Sequence, residues 1–369
     1  MKRIFSVFLA LLLCINAFKV RALSTSASCA VLIDADSGKV LYAKNEQTKA
    51  SMASTTKIMT ALLLCENKDL SDTLLITDKM VMVEGTSMGL KSGMTVTYKD
   101  LLYGMLLASG NDAANATAIG ISGSIEKFVE LMNKRARELG LSDTNFETPS
   151  GLDGEKHYTT ALDLAMLTKE ALLNSDFADA CKTKSITLEY GGYSHTLTNH
   201  NKLLSMNSDV IGVKTGYTKK SGRCLVSAAK RNGVILIAVT LNDGNDWNDH
   251  NEMLNYGFSV VKCKTVKFDS EEYNINVVAG KQDLLSVKSE AVEFSCSEEA
   301  QITKKVYIEK FVYAPIKVGD KIGYIEYKNG QSIIAKQELL AQNNIEIEDE
   351  PKFSKRFKRN LSLILGEVL

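Results

Sequence analysis

The chain has 369 residues, 45% hydrophobic and 24% charged, so it is long enough for two packed domains and has the composition of a globular rather than a disordered protein. Its 44 basic residues balance 44 acidic ones, which excludes a global field that would attract nucleic acid or an anionic membrane. Any charged partner must therefore be recognised by a local cluster of side chains.

The first 25 residues have the layout of a secretory signal. Lys2 and Arg3 precede an apolar run from Ile4 to about Ala17, and small residues follow. Because this run is shorter than the roughly 20 residues that span a bilayer, we predict a signal peptide over residues 1–25 rather than a membrane helix. The mature protein is then expected outside the cytoplasm.

Six cysteines and four histidines remain after the signal, and neither set shows the spacing of a metal site. The cysteines are scattered singly without a Cys-x-x-Cys pair, as is typical of buried apolar side chains in a chain of this size. Cys29 and Cys224 lie on predicted strands that can be neighbours, and we expect them to remain unpaired. No metal and no cofactor is expected.

Residues 26–262 are predicted to form one α+β domain. Apolar and polar residues alternate on both sides of the turn at residues 36–38, which is the pattern of a β-hairpin. Residues 52–173 have mostly helical periodicity, and strand patterns return over residues 195–243 before one more helix. Strands at both ends predict an antiparallel sheet assembled from both ends of the domain and covered by a cluster of helices.

The sequence changes character after residue 262. Short alternating segments with turn residues, among them the hairpin signal Asn329-Gly330, predict a small all-β domain over residues 263–348. Residues 349–369 are a predicted amphipathic helix, with Pro351 at its start, cations crowding its first turns and apolar residues recurring every three or four positions. We expect this helix to anchor the protein in the headgroup layer of a membrane; packing against the β domain is the alternative.

A nucleophilic serine is suggested by the pattern Ser-x-x-Lys, which occurs three times, at Ser54, Ser124 and Ser259. A serine gains as a nucleophile at the N-terminus of a helix, where unpaired N–H groups and the helix dipole stabilise negative charge. Ser54 is at such a position, whereas Ser124 reads as a helix N-cap and Ser259 falls at the far end of its helix. Ser54 is therefore the candidate nucleophile.

Lys57, one helical turn from Ser54, is the candidate base. An amine can accept the serine proton only if burial or a neighbouring cation lowers its pKa. Apolar residues follow Lys57, and Lys214 in the strand-like segment Lys214-Thr215-Gly216 is a candidate second cation. Gly216 on such a strand would let a substrate backbone approach closely.

A third element, Ser109-Gly110-Asn111, joins two predicted helices. A hydroxyl and a carboxamide on a tight turn can project into a cleft, where Ser109 would relay protons and Asn111 would hydrogen-bond a substrate amide. A plain helix break with Asn111 as a cap is the alternative.

Each element is weak alone, but their order along the chain is specific. Together they resemble the three motifs of penicillin-binding proteins and class A β-lactamases. The wider segments "AVLIDADSGKVLYAKN", "MLLASGNDAANATA", "GLDGEKHYTTALDLA" and "GVKTGYTKKSGRCLVSAAKRNG" resemble the low-molecular-mass D-alanyl-D-alanine carboxypeptidases of peptidase family S11. The resemblance covers about residues 26–262 and implies a β-lactamase/transpeptidase-like fold. The small β domain and the terminal helix match the appended region of that family.

The resemblance also implies a reaction. Ser54 would attack the carbonyl between the two terminal D-alanines of a peptidoglycan stem peptide, with Lys57 accepting its proton. Ser109 would protonate the leaving amine, and water would then hydrolyse the acyl-enzyme. β-Lactam antibiotics would acylate Ser54 as slowly released mimics of the substrate.

Substrate binding is implied for the remaining motif residues. Asn111 would hold the substrate amide, and Lys214 with Thr215 would bind the terminal carboxylate beside Gly216. The backbone N–H of Tyr217 would form the oxyanion hole with that of the nucleophile. The expected partners are thus the stem peptide, β-lactams and a membrane surface, with no nucleic acid, at the outer face of the cytoplasmic membrane.

Two alternatives stay open. A class A β-lactamase would carry Asp where Gly110 stands and would need a dedicated deacylating glutamate, for which Glu147 is the nearest candidate. A non-catalytic protein that binds the cell wall or senses β-lactams would have no need to retain every catalytic residue type, and all of them are present.

Overall fold

The computed structural model describes residues 23–267, 273–297, 300–348 and 361. Nearly all of the predicted signal and of the predicted terminal amphipathic helix therefore lies outside the described residues. Within the described ranges, no helix has both the length and the apolar character needed to cross a membrane.

Residues 29–260 contain both strands and helices. The strands are β1 (Cys29–Asp34), β2 (Val40–Lys44), β3 (Thr73–Leu75), β4 (Thr95–Thr97), β5 (Ser185–Tyr190), β6 (Tyr193–Thr198), β7 (Val210–Thr218), β8 (Gly222–Arg231) and β9 (Val234–Leu241). The helices are α1 (Lys57–Asn67), α2 (Asp78–Val81), α3 (Tyr98–Leu106), α4 (Asn111–Ser122), α5 (Ile125–Glu138), α6 (Ala161–Ala171), α7 (Ser175–Lys182), α8 (Leu203–Met206) and α9 (Asp246–Val260).

The main sheet contains five antiparallel strands in the order β2-β1-β9-β8-β7. The predicted hairpin forms between β1 and β2, with Gly38 in the left-handed region at φ 72°. Because β1 pairs with β9, the sheet is assembled from both ends of the domain, as predicted. Strands β5 and β6 form a separate hairpin, and the first of them was not expected from the sequence.

Both faces of the main sheet are covered. Val31 and Ile33 of β1 pack into the core of the helical cluster, whereas Ala30 and Leu32 pack into a second core that contains residues of α9. Residues 29–33 are all apolar and buried, so the alternation predicted for this side of the hairpin is wrong for β1, because both faces of the strand are covered. Helix α1 lies inside the cluster, with residues 57–64 all buried.

The predicted β domain is made of the remaining strands. These are β10 (Val261–Val266), β11 (Asn274–Val278), β12 (Leu284–Lys288), β13 (Val292–Ser297), β14 (Ile302–Ile308), β15 (Phe311–Tyr313), β16 (Lys321–Asn329) and β17 (Ser332–Ala341). Strand β10 pairs with β13, and the other six form a sheet in the order β14-β16-β17-β12-β11-β15. The hairpin signal Asn329-Gly330 is confirmed, because β16 and β17 pair around it.

The β domain is joined tightly to the first part of the chain. Helix α9 ends at Val260 and β10 begins at Val261, with no intervening residue. The turn of the β1–β2 hairpin also contacts β13: the backbone N–H of Ser295 donates to Asp36 Oδ2 at 2.9 Å, and the Ser295 hydroxyl donates to the buried Asp34.

Candidate active site

The candidate nucleophile lies in a tight turn at the start of α1. Ser54 belongs to a 3₁₀ turn, Ala53–Thr56, that leads directly into the helix, so the predicted helix-terminal position is the one observed. The preceding residue, Ala53, is fully buried and has φ 46°. Strand β7 passes close to this turn, since a Cβ at Gly216 would lie 3.1 Å from the backbone nitrogen of Ser54. A side chain at position 216 would therefore require the strand or the turn to shift by a few tenths of an ångström.

The amine of Lys57 is held by three oxygen atoms. Its Nζ lies 2.9 Å from Ser54 Oγ, 2.7 Å from Asn111 Oδ1 and 2.7 Å from the carbonyl oxygen of Ser150. The orientation of the Asn111 amide is fixed because its Nδ2 donates to the carbonyl of Glu84 at 2.6 Å. Asn111 Oδ1 and the Ser150 carbonyl can only accept hydrogen bonds.

This arrangement determines where the lone pair of a neutral Lys57 lies. A neutral amine has two N–H groups and one lone pair. Asn111 and Ser150 take the two N–H groups, so the lone pair faces the hydroxyl of Ser54, as a general base requires.

Burial and charge both favour that neutral form. Lys57 is fully buried, and desolvation lowers its pKa well below the usual value for lysine. The charge of Lys214 lowers the pKa of Lys57 further, while Asp112 opposes the shift. Burial also lowers the pKa of Lys214, to about 7. The second cation inferred from the sequence is thus close enough to act on the first.

The other two motifs meet where Lys214 contacts Ser109. Lys214 Nζ donates to Ser109 Oγ at 3.1 Å and to the carbonyl of Thr215 at 2.9 Å. Ser109 lies between α3 and α4 with φ 58°, a left-handed conformation that turns the chain between the two helices.

A cavity of about 320 Å³ brings the predicted residues together. Ser54, Ser109, Thr215, Gly216 and Tyr217 line it. The remaining three, Lys57, Asn111 and Lys214, are buried and hydrogen-bonded behind it. Asn111 contacts Lys57 and Glu84. Its contact with a substrate amide stays a prediction.

Several residues at the site were not anticipated from the sequence. Besides Ser150, which contributes a backbone carbonyl, they include His157 and Thr56, which hydrogen-bond each other at 2.8 Å behind the nucleophile turn. Asp112 is a third case: its carboxylate accepts hydrogen bonds from the backbone of Met88, Gly89 and Leu90 and so holds the loop beside the cavity. In the sequence, the segment "GLDGEKHY" carries only the family resemblance, and its lone histidine gives no separate signal.

Glu147 does not lie at the cavity. Its Oε2 accepts the backbone N–H of Lys156 at 2.9 Å, and its own N–H donates to His157. Glu147 therefore makes structural contacts within its loop. It does not occupy the position that a deacylating glutamate would need. All six described cysteines are free, including Cys224, which lines the cavity.

Known proteins with similar sequences identify the family of this chain. Residues 16–245 match the D-alanyl-D-alanine carboxypeptidase family, peptidase S11, and residues 262–347 match the C-terminal domain of penicillin-binding protein 5. D-alanyl-D-alanine carboxypeptidase DacF of Bacillus subtilis is 33% identical over 352 residues, which cover 88% of this chain and 87% of DacF. DacC of Escherichia coli is 32% identical over 355 residues, covering 89% and 86% of the two chains.

Solved structures give the same result. Penicillin binding protein 5 from Haemophilus influenzae has a TM-score of 0.66 at 27% identity, over 89% of this chain and 99% of the other. The Streptomyces K15 DD-transpeptidase has a TM-score of 0.61 at 33% identity, over 64% of this chain and 98% of the other. The predicted α+β fold followed by an all-β region is confirmed. The chain belongs to the D-alanyl-D-alanine carboxypeptidase family of serine peptidases, S11.

Proposed function

We propose that this protein is a serine-type D-Ala-D-Ala carboxypeptidase that removes the terminal D-alanine from peptidoglycan stem pentapeptides through an acyl-enzyme on Ser54. The observation that carries the proposal is the arrangement of Lys57, whose two acceptor-only neighbours direct its lone pair at the Ser54 hydroxyl. A protein that only binds cell wall or β-lactams has no need for a buried amine in this orientation with a strongly lowered pKa.

Acylation starts with proton transfer. Lys57 takes the proton of Ser54 as Oγ attacks the carbonyl carbon between the two D-alanines. The backbone N–H groups of Ser54 and Tyr217 are the proposed donors to the oxyanion. Donors of this kind are typically worth about 10²–10³ in kcat.

The leaving D-alanine departs on the other side of the cavity. Ser109 is the proposed donor of a proton to the leaving amine, and the 3.1 Å contact between its Oγ and Lys214 Nζ supports this role. Lys214 and Thr215 are the proposed partners of the terminal carboxylate, and the second N–H of Asn111 Nδ2, which does not donate to Glu84, is the proposed partner of the substrate amide. Water then attacks the ester on Ser54 and releases the shortened peptide.

A labelled penicillin tests the nucleophile. We expect one covalent adduct, mapped by mass to the peptide that contains Ser54, and release of D-alanine from a stem pentapeptide. Ser54→Ala should abolish both. Ser124→Ala is the matched control, because Ser124 has the same Ser-x-x-Lys spacing but caps helix α5. A rapidly lost adduct without D-alanine release would favour a β-lactamase, and an absence of adduct would favour a binding protein.

We further propose that the protein acts outside the cytoplasm, attached to the membrane surface by residues 349–369. The support comes from the sequence of that segment, whose cations are Lys352, Lys355, Arg356, Lys358 and Arg359. The full chain should float with vesicles that contain an anionic phospholipid, and a chain ending at residue 348 should not. Equal flotation of both would contradict the anchor.

A further inference from the structure

The loop formed by residues 84–90 lies beside the catalytic cavity, and Thr86 contributes to the cavity wall. A buried carboxylate, that of Asp112, contacts this loop. Asp112 is the second residue of helix α4 and is only 1% exposed. Burying a carboxylate is costly, so its hydrogen-bond partners indicate what it does.

Both oxygen atoms of Asp112 accept hydrogen bonds from the backbone of the loop. Oδ1 accepts the N–H of Met88 at 2.9 Å, and Oδ2 accepts those of Gly89 at 3.1 Å and Leu90 at 3.0 Å. Backbone N–H groups can only donate. An asparagine at position 112 would turn its NH2 group towards at least one of these donors, whichever way its amide were oriented. The loop is therefore held by a carboxylate in a way that a neutral amide cannot reproduce.

The same loop holds the backbone and the side chain of Asn111. The backbone N–H of Asn111 donates to the carbonyl of Thr86 at 2.7 Å, and its Nδ2 donates to the carbonyl of Glu84 at 2.6 Å. Between these two contacts, Gly85 has φ 84°, and a Cβ there would lie 2.9 Å from Asn111 Nδ2. The amide held in this way presents Oδ1 to Lys57 Nζ at 2.7 Å. A series of direct contacts thus runs from the buried carboxylate through the loop to the amine of the base.

Asp112 also acts on Lys57 through its charge. Burial and the charge of Lys214 lower the pKa of Lys57, and the negative charge of Asp112 raises it. An amine whose pKa is lowered too far is a weak base, and a general base is most effective when its pKa lies near the working pH. The charge of Asp112 therefore keeps Lys57 basic enough to take the serine proton.

We propose that Asp112 is a positioning residue for the acylation step. Through the 84–90 loop it fixes the amide of Asn111, and that amide orients the amine of Lys57. The inference rests on the proposed function, in which Lys57 is the base. Asp112 does not line the cavity, so it acts on the reaction through its neighbours. Its replacement should change both the rate and the pH dependence of acylation.

The pH profile of acylation by a labelled penicillin tests this role in the full chain. Asp112→Asn should lower the maximal rate about tenfold, because the loop and the Asn111 amide lose their fixed position. The acid limb of the profile, where the rate rises with pH, should move to lower pH, because Lys57 loses the charge that raises its pKa. A side chain with a merely structural role would affect stability and leave the acid limb in place. An acid limb at the wild-type pH would therefore overturn the proposal.

Asp100→Asn is the matched control. Asp100 is also buried in the first turn of a helix, α3, and its Oδ2 accepts the backbone N–H of Thr97 at 2.8 Å. The charges that act on Lys57 are those of Lys214 and Asp112. The control variant should therefore acylate within about twofold of wild type, with the same acid limb. An equal shift of the acid limb in both variants would also overturn the proposal.

Two glycine variants test the contact between the loop and Asn111 even if Asp112→Asn does not fold. Gly85→Ala places a methyl group 2.9 Å from Asn111 Nδ2 at an exposed position of the loop, and should slow acylation about tenfold. Gly93→Ala is its control, because φ is 87° there against 84° at Gly85 but nothing lies within 4 Å of the added Cβ. It should acylate within about twofold of wild type. Equal rates in the two variants would overturn the proposal.

The outcomes separate this inference from the proposed function. A wild-type protein that forms no penicillin adduct on Ser54 would overturn both. A wild-type protein that forms the adduct, with Asp112→Asn and Gly85→Ala variants that acylate at the wild-type rate, would overturn the role of Asp112 alone.

Discussion

The imidazole of His157 donates from Nε2 to Thr56 Oγ1 at 2.8 Å, and that hydroxyl donates in turn to the carbonyl of Ala53, 2.8 Å away. The direction is fixed because His157 Nδ1 accepts the backbone N–H of Glu147 at 2.9 Å, and an N–H can only donate. Ala53 has φ 46°, a conformation that costs a non-glycine residue roughly 1 kcal/mol or more. The hydrogen bonds therefore hold a strained residue next to the nucleophile.

Removal of the Thr56 hydroxyl should misplace Ser54. We expect Thr56→Val to slow acylation by labelled penicillin about tenfold and to lower the free energy of unfolding by about 2 kcal/mol, since two buried groups lose their partner. Thr56→Ser keeps the hydroxyl and should acylate within about twofold of wild type. A valine variant that is less stable but acylates at the wild-type rate would show that the contact is only structural.

Protonation of His157 should destabilise the fold. Burial lowers its pKa from 6.5 to about 4. The unfolded chain therefore binds this proton first as the pH falls. As the pH falls from 6.5 to about 4, the free energy of unfolding decreases by about 3 kcal/mol in total. Below about pH 4 it levels off.

Urea unfolding at several pH values measures this loss. His157→Asn keeps an acceptor for the Glu147 N–H but does not titrate, so its stability should fall less over the same window. Burial also lowers the pKa of His250, to about 3, so the variant should retain part of the slope. Identical pH dependence in the two proteins would contradict the assignment.

The two buried lysines should give activity an optimum in pH. Lys57 must be neutral, so acylation rises as the pH rises through its lowered pKa. Lys214 must be charged to hold a carboxylate, and its pKa is about 7, so KM for the pentapeptide should rise above that pH. Lys214→Arg keeps the charge and should remove the alkaline rise in KM. A KM that stays constant in wild type would exclude this role.

A charge beside Lys57 should disable the base. In Asn111→Asp a carboxylate replaces the amide oxygen that lies 2.7 Å from Lys57 Nζ, which raises the pKa of the amine. We expect acylation near neutral pH to fall about 100-fold and its acid limb to move to higher pH. Asn115→Asp, on the same helix, is the matched control and should acylate normally. An unchanged pH profile in the first variant would mean that Lys57 is not the base.

The positions of the motif residues could be predicted from the sequence where they depend on spacing within one element. Lys57 follows Ser54 by three residues, so one helical turn brings the two side chains together. Lys214, Thr215 and Gly216 are consecutive on one strand, which brings them to the site together. The assembly of the sheet from both ends was predictable because strand patterns occur at both ends of the domain, although β1 is buried on both faces rather than alternating.

Contacts between distant loops were not predictable in this way. The partners of His157 depend on how residues 146–157 fold against the nucleophile turn, which no periodicity encodes. The strain at Ala53 was invisible because a left-handed backbone is usually signalled by glycine or asparagine.

The direct passage from α9 into β10, with Ser295 bonded to the β1–β2 turn, has a consequence for where the enzyme can work. A flexible linker between the two domains would let Ser54 move over a range of distances from the β domain. No linker residue separates α9 from β10. In the proposed membrane-attached state, the β domain therefore fixes the distance between the membrane and Ser54. That distance would set the layer of cell wall that Ser54 reaches, and inserting residues between Val260 and Val261 would change it.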